Sequence, residues 1–105
     1  LQALVAGNSV IVKPASGAER VTMLLAELFV QSGFPSPLIQ VVDASPQQVD
    51  ECLRDGVNLV VMTASSKTGR IVANKAAEQL IPVIAELSGC DAMFVLPGAN
   101  LQRVA

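Results

Sequence analysis

Leu59-Val60-Val61-Met62-Thr63-Ala64-Ser65-Ser66-Lys67-Thr68-Gly69-Arg70-Ile71-Val72 decides the fold. Leu59 to Met62 is an unbroken apolar run, the pattern of a strand buried on both faces. Thr63 to Ser66 is a turn of small polar residues. A helical pattern follows to about Gln79, with Ile71, Val72 and Ala76 inward and Lys67, Arg70 and Lys75 on a solvated face. Pro82 to Glu86 is the next strand, with Pro at its first position, where no ladder donor is needed.

The same alternation extends outward. Upstream, Ser9 to Val12 is a strand ended by Lys13-Pro14, and Arg20 to Gln31 sets Val21, Leu24, Leu25, Leu28 and Phe29 at helical spacing. Gly33 is placed to end that helix, with Pro35 just beyond. Ile39 to Val42 is another strand. Ser45-Pro46-Gln47-Gln48 predicts an N-cap, an N1 proline and a capping-box glutamine before Val49, Cys52 and Leu53, which face one way until Gly56. Downstream, Met93 to Leu96 predicts a fifth strand, Pro97-Gly98 a turn, and Asn100 to Ala105 the start of a helix. Strands alternating with helices predict an α/β parallel sheet covered on both faces, with right-handed crossovers.

The 105 residues suit one domain without repeat or linker. Hydrophobic residues make up 51%, charged residues 15%, and mean hydropathy is +0.52. That excludes intrinsic disorder. A net charge of -2, with 3 Phe and no Trp or Tyr, gives nucleic acid neither an electrostatic footprint nor a stacking platform. No apolar run approaches the ~18 residues of a membrane span. No His is present, so His-dependent triads and His-bearing zinc sites are excluded within the chain, and no metal site is expected. Cys52 and Cys90 form no CxxC and read as reduced thiols of a cytoplasmic protein. The opening Leu1-Gln2-Ala3-Leu4-Val5-Ala6 has neither a basic n-region nor Met, and predicts a stretch taken from a longer chain.

In parallel sheets, ligands bind outside the carboxyl ends of the strands. Three candidate segments fall there. Thr63 to Arg70 leads from strand to helix, and helix-start amides bind phosphate. Yet the segment is neither GxGxxG nor a Walker A loop, and Ser65 or Ser66 equally suits a plain N-cap. Lys13 can hold a ribose hydroxyl or a phosphate, or merely end its strand. Glu86, at the end of an apolar strand, suits a general base if desolvated, or simply points into solvent. Gly89 allows close backbone approach or a positive φ.

Taken in order, Asn8-Ser9-Val10-Ile11-Val12-Lys13-Pro14-Ala15, Ser32-Gly33-Phe34-Pro35, Met62-Thr63-Ala64-Ser65-Ser66-Lys67-Thr68-Gly69-Arg70 and Ala85-Glu86-Leu87-Ser88-Gly89 closely resemble the aldehyde dehydrogenase superfamily in its NAD(P)-binding domain. The resemblance runs from Ala3 to Ala105, with Glu86 73 positions after Lys13. It implies a Rossmann-like three-layer parallel sheet within an aldehyde dehydrogenase-like fold, residues 1–105 being part of the NAD(P)-binding domain, truncated at both ends. Lys13 matches the lysine that contacts the adenosine ribose. Ser16 sits where many members place a glutamate that binds both ribose hydroxyls. Ser65 matches the serine on the pyrophosphate, and Ala64 the glycine before it. Thr68 takes the place of an aliphatic residue near the adenine. Glu86 matches the glutamate that activates water for thioester hydrolysis, and Leu87 a position whose backbone lies near the nicotinamide.

The departures point to a divergent branch. Ala64 crowds a glycine position, and Ser88 replaces a glycine that gives the catalytic glutamate room to swing. Asp43-Ala44-Ser45-Pro46 replaces a glycine-rich segment. The resemblance puts the nucleophilic cysteine beyond Ala105 and the oxyanion-holding asparagine before Leu1. Cys90 is too close to Glu86 to serve as that nucleophile, and Cys52 lies in the wrong helix.

The implied activity of the parent protein is oxidation of an aldehyde to a carboxylic acid through a cysteine thioester, with NAD or NADP as hydride acceptor. The implied partners are the aldehyde and further copies of the same chain, with no nucleic acid and no membrane. The alternative is a cofactor-binding module or pseudoenzyme without turnover. A coenzyme-A-acylating relative is disfavoured by Glu86.

Overall fold

The computed structural model describes residues 1–89 and 92–104. The elements are α1 (Gln2–Val5), β1 (Val10–Val12), α2 (Glu19–Gln31), a 3-10 turn at Ser36–Leu38, β2 (Ile39–Val41), α3 (Gln47–Arg54), β3 (Val60–Ala64), α4 (Ser66–Glu78), β4 (Val83–Leu87) and α5 (Leu101–Val104). The expected alternation is present. Both strand pairs are parallel, β1 with β2 (Val10 opposite Ile39) and β3 with β4 (Val60 opposite Val83).

The α/β class with parallel strands is found as expected, but the continuity of the sheet differs. The described strands form two two-stranded sheets, not one continuous sheet. Between them lies a cavity of about 410 Å³, lined by Ile11 of β1, Val60 and Met62 of β3, and Val49, Cys52 and Leu53 of α3. β1 is only three residues long, because Lys13 is followed by a proline that has no amide to offer a ladder. That leaves little edge for β3 to join.

Coverage of β3 and β4 is also one-sided. Val60, Met62 and Ala64 are half-buried, whereas Val61 and Thr63 between them are exposed. Helix α4 packs on β3 and β4, and α3 packs on α4. Successive strand side chains point to opposite faces. Val61, 70% exposed, and Ile84 therefore lie on a face that no described element covers. The double-sided burial expected for Leu59 to Met62 is not found.

Met93 to Leu96 is not a strand, and Phe94 is 87% exposed. An apolar run becomes a strand only where a neighbouring edge accepts its amides. β4 pairs with β3 and with no other described strand. The expected turn at Pro97-Gly98 and the helix start after Asn100 are both present, and the Asn100 side chain accepts the Gln102 amide.

Helix ends follow their residues. Gly33 takes φ 99 beyond α2, its amide bonds Val30 O, and Phe34 N bonds Phe29 O. The Phe29 and Phe34 rings meet edge-on at 5.5 Å, the apolar contact that accompanies this cap. The capping box expected at Ser45 is absent. The Ser45 amide instead donates to Asp43 Oδ1 at 2.6 Å, and the Gln48 side chain turns forward to Glu51. Lys75 is not merely solvated: it bridges to Asp50 at 2.6 Å, tying α4 to α3. Ile71, expected inward, is 50% exposed, while Ala76 is fully buried.

Candidate active site

The site is built on the register of β3 against β4. Thr63 lies opposite Glu86 and Ala64 opposite Leu87, so the two strands end flush. The chain leaves β3 through Ser65, which caps α4: its Oγ accepts the Thr68 amide at 3.2 Å and hydrogen-bonds Thr68 Oγ1 at 3.1 Å. The first helical bond is Gly69 N to Ser65 O at 2.8 Å. The Ser66 amide donates to Ser88 Oγ at 3.3 Å, on the stretch leaving β4. Among the described residues the Lys67 amide has no acceptor, so one helix-start donor faces outward.

Gly69 decides how closely α4 approaches β4. A Cβ there would sit 2.3 Å from Leu87 Cδ2 and 2.8 Å from Cδ1. Leu87 thus faces α4, and strand alternation turns Glu86 to the opposite face, beside Thr63. Glu86 is exposed on β4, so the apolar enclosure expected at the strand end is not found. Its carboxylate stands free to meet water at the edge where Ser65 begins the helix.

Lys13 closes the other half of the edge. Its Nζ donates to Pro14 O and to Ala44 O, each at 2.8 Å, linking the chain after β1 to the chain after β2. Beside it the Asp43 carboxyl is held below the usual carboxylate range, chiefly by the Ser45 backbone amide. The Ser45 hydroxyl and the Lys13 charge assist, and slight desolvation opposes.

The residues expected to act together divide into three sets. Ala64, Ser65, Thr68, Glu86 and Leu87 gather at the β3–β4 ends. Lys13 lines the cavity with Ala64 and Thr68. Ser16 stands exposed in the loop before α2, where Gly17 turns with φ 86, and does not line that cavity. Most of the cavity wall is apolar core, so it is the seam between the two sheets. The candidate residues Ser65, Thr68 and Glu86 lie at the strand edge.

Gly89 takes no positive φ, and a Cβ there would meet only Leu87 O at 4.0 Å, so the close approach expected of it is absent. Cys52 is a free thiol whose pKa burial pushes up, with Asp55 and Glu51 adding to the shift. A thiol held protonated is a poor nucleophile, in accord with its place on α3. Cys90 lies outside the described residues. Among the described residues no group of three or more His, Cys, Asp or Glu could hold a metal, and no helix is long and apolar enough to cross a membrane. Two contributors escaped sequence reading. Gly69 was legible as a glycine inside a helical pattern, which signals close packing. The Ala44 carbonyl under Lys13 had no sequence signal.

The chain matches the aldehyde dehydrogenase family over residues 1–105. It is 38% identical over 103 residues to a provisionally named NADP(+) succinate-semialdehyde dehydrogenase of Mycobacterium ulcerans, covering 98% of this chain and 20% of that protein. It is 40% identical over its whole length to a 4,4'-diapolycopene aldehyde oxidase of Methylomonas, again 20% of that protein. Among solved structures, succinic semialdehyde dehydrogenase from Streptococcus pyogenes in complex with NADP+ superposes with a TM-score of 0.77 at 29% identity, over 93% of this chain and 22% of that one. The chain thus spans about a fifth of the length of the relatives it matches. The likeness extends over every element from α1 to α5, well beyond the motifs at the strand ends, and on that breadth the chain belongs to the aldehyde dehydrogenase family.

Proposed function

We propose that residues 1–105 form the cofactor-facing part of an NAD(P)-dependent aldehyde dehydrogenase that oxidises an aldehyde to a carboxylic acid. The observation that carries this reading is the flush end of β3 and β4, which sets Glu86 beside Thr63 and next to the first turn of α4. The residues present fit a dinucleotide. The Lys67 amide is available at a helix start, the adjoining side chains of Ala64 and Ser65 are small, and Lys13 supplies a cation at the same edge. When bound, NAD(P)+ supplies the hydride acceptor.

Each residue then has a definite task. Lys13 exchanges one of its two carbonyl partners for a ribose hydroxyl or a phosphate. Ser65 sets the start of α4, whose first-turn amides would hold the pyrophosphate. Thr68 would lie near the adenine, and the backbone of Leu87 near the nicotinamide. Glu86, exposed and without a partner among the described residues, takes a proton from water, which attacks the acyl-enzyme thioester. The relatives act on a semialdehyde or on a carotenoid aldehyde by name, so the aldehyde group is their common substrate chemistry. A relative named for NADP(+), with Ser16 where the resemblance places a glutamate, supports a protein that accepts NADP at least as well as NAD. We further place the protein in the cytoplasm as a homo-oligomer, consistent with the free thiol of Cys52 and the exposed apolar face of α2.

Pre-steady-state kinetics of the intact protein test the reading. Glu86→Gln is expected to leave the burst of NAD(P)H intact and to slow the following steady state by roughly 10²- to 10⁴-fold. Equal loss in both phases makes Glu86 structural. Absence of any burst in the wild type favours a binding module without turnover.

A further inference from the structure

We propose that Ser88 is a positioning residue whose hydroxyl holds the strand end carrying Glu86 against α4 until a cofactor phosphate takes the amide it occupies. This rests on the reading above, in which the start of α4 meets the pyrophosphate. Among the described residues, Leu87 and Ser88 both reach α4 from the end of β4. Leu87 fills the space left by the missing Cβ of Gly69, and Ser88 Oγ accepts the Ser66 amide at 3.3 Å. The first is apolar packing that a phosphate does not disturb. The second uses a donor that a phosphate needs.

The amides at the start of α4 show why. Before the first helical bond, at Gly69, three are free to point outward: Ser66, Lys67 and Thr68. Ser65 Oγ takes Thr68 and Ser88 Oγ takes Ser66. A phosphate that engages more than the Lys67 amide must displace a hydroxyl, and the Ser88 bond is the longer and links separate elements. A neutral hydroxyl is also the weaker acceptor, because hydrogen bonds to an ionised oxygen are roughly twice as strong. Displacing Ser88 releases the stretch two residues beyond Glu86. Cofactor binding and freedom of the Glu86 segment are thereby linked, and the linkage is reciprocal.

Equilibrium binding of NADP+ to the intact protein, for wild type, Ser88→Ala and Ser88→Thr, tests the tether. Removing a competing hydrogen bond is expected to tighten NADP+ about 2- to 10-fold in Ser88→Ala, with Ser88→Thr restoring wild-type affinity. General damage to the fold would weaken binding, so tightening with rescue is specific to the tether. Unchanged or weaker binding in Ser88→Ala, with the wild type still binding, overturns the inference and leaves the functional reading standing. Failure of the wild type to bind NADP+ or NAD+ overturns both.

Discussion

Ser16 carries the sharpest prediction at the scale of one residue. A glutamate in its place would grip the 2′- and 3′-hydroxyls of NAD and repel the 2′-phosphate of NADP. The small neutral hydroxyl removes that repulsion and can itself donate to a phosphate oxygen. Ser16→Glu is therefore expected to lower the NADP-to-NAD affinity ratio in the intact protein, as read by titrating both cofactors. An unchanged ratio means that Ser16 does not face the ribose, a real test given its separation from the cavity that Lys13 lines. Asp43 offers a second. Its carboxyl is held low mainly by the Ser45 amide, so its contribution to stability is present above the ordinary carboxylate pKa and is lost as pH falls through the lowered one. Thermal melts of the intact protein, wild type and Asp43→Asn, are expected to differ near neutral pH and to converge as pH falls below about 4. A difference that persists unchanged in acid would assign the effect to shape, not charge.

Elements were legible where their signals were local and obscure where a partner was needed. The strand and helix alternation, the glycine stops at Gly33 and Gly56, and the cap at Ser65 each follow from a few adjacent residues, and all are present. Leu80 shows the limit: with φ 56 it ends α4 by the same hydrogen bonds that Gly33 uses, yet nothing about a leucine announces that backbone. Met93 to Leu96 pairs with no described strand although one side of β4 is open, and the capping box at Ser45 fails because Asp43 takes the amide that the Gln48 side chain would accept. In the candidate site, the places of Lys13 and Glu86 at strand ends and of Ser65 at a helix start follow from the local pattern, but the bonds to Ala44 and Ser88 depend on loops meeting in space. Gly69 gives this scale its test. In an exposed helix, Gly→Ala gains roughly 0.5–1 kcal/mol. Here the new Cβ would lie 2.3 Å from Leu87, so Gly69→Ala is expected to destabilise instead. Adding Leu87→Ala should recover part of the loss, since contacting residues are not additive. Denaturant midpoints of the two single variants and the double variant, each in the intact protein, decide it, and additive losses would show that the new Cβ and Leu87 do not collide.

Across the whole molecule, the apolar side chains outnumber the places to hide them. Leu4, Leu53 and Ala76 are the buried hydrophobic residues among those described, while Val21, Leu24, Leu25 and Leu28 of α2 are each about half exposed. The helical spacing of that stripe is correct, but only β2 packs on it appreciably. Folding must offset the entropy of the chain, and it does so chiefly by burying apolar surface. With so little buried, these 105 residues held alone have no core sufficient for a cooperative fold. Produced in isolation, they are expected to bind a hydrophobic dye, to self-associate, and to melt without a sharp transition. The same argument bears on activity. On the proposed reading Glu86 serves an acyl-enzyme, and Cys52, with its thiol pKa raised, is not poised to form one. The isolated chain is therefore expected to oxidise no aldehyde with either cofactor. Two measurements on one preparation check this: calorimetry, and NAD(P)H formation with a panel of aldehydes. A sharp two-state melt would show that α2 and the bare face of β3–β4 need no cover, and cofactor-dependent turnover would show that the nucleophile lies within these residues after all.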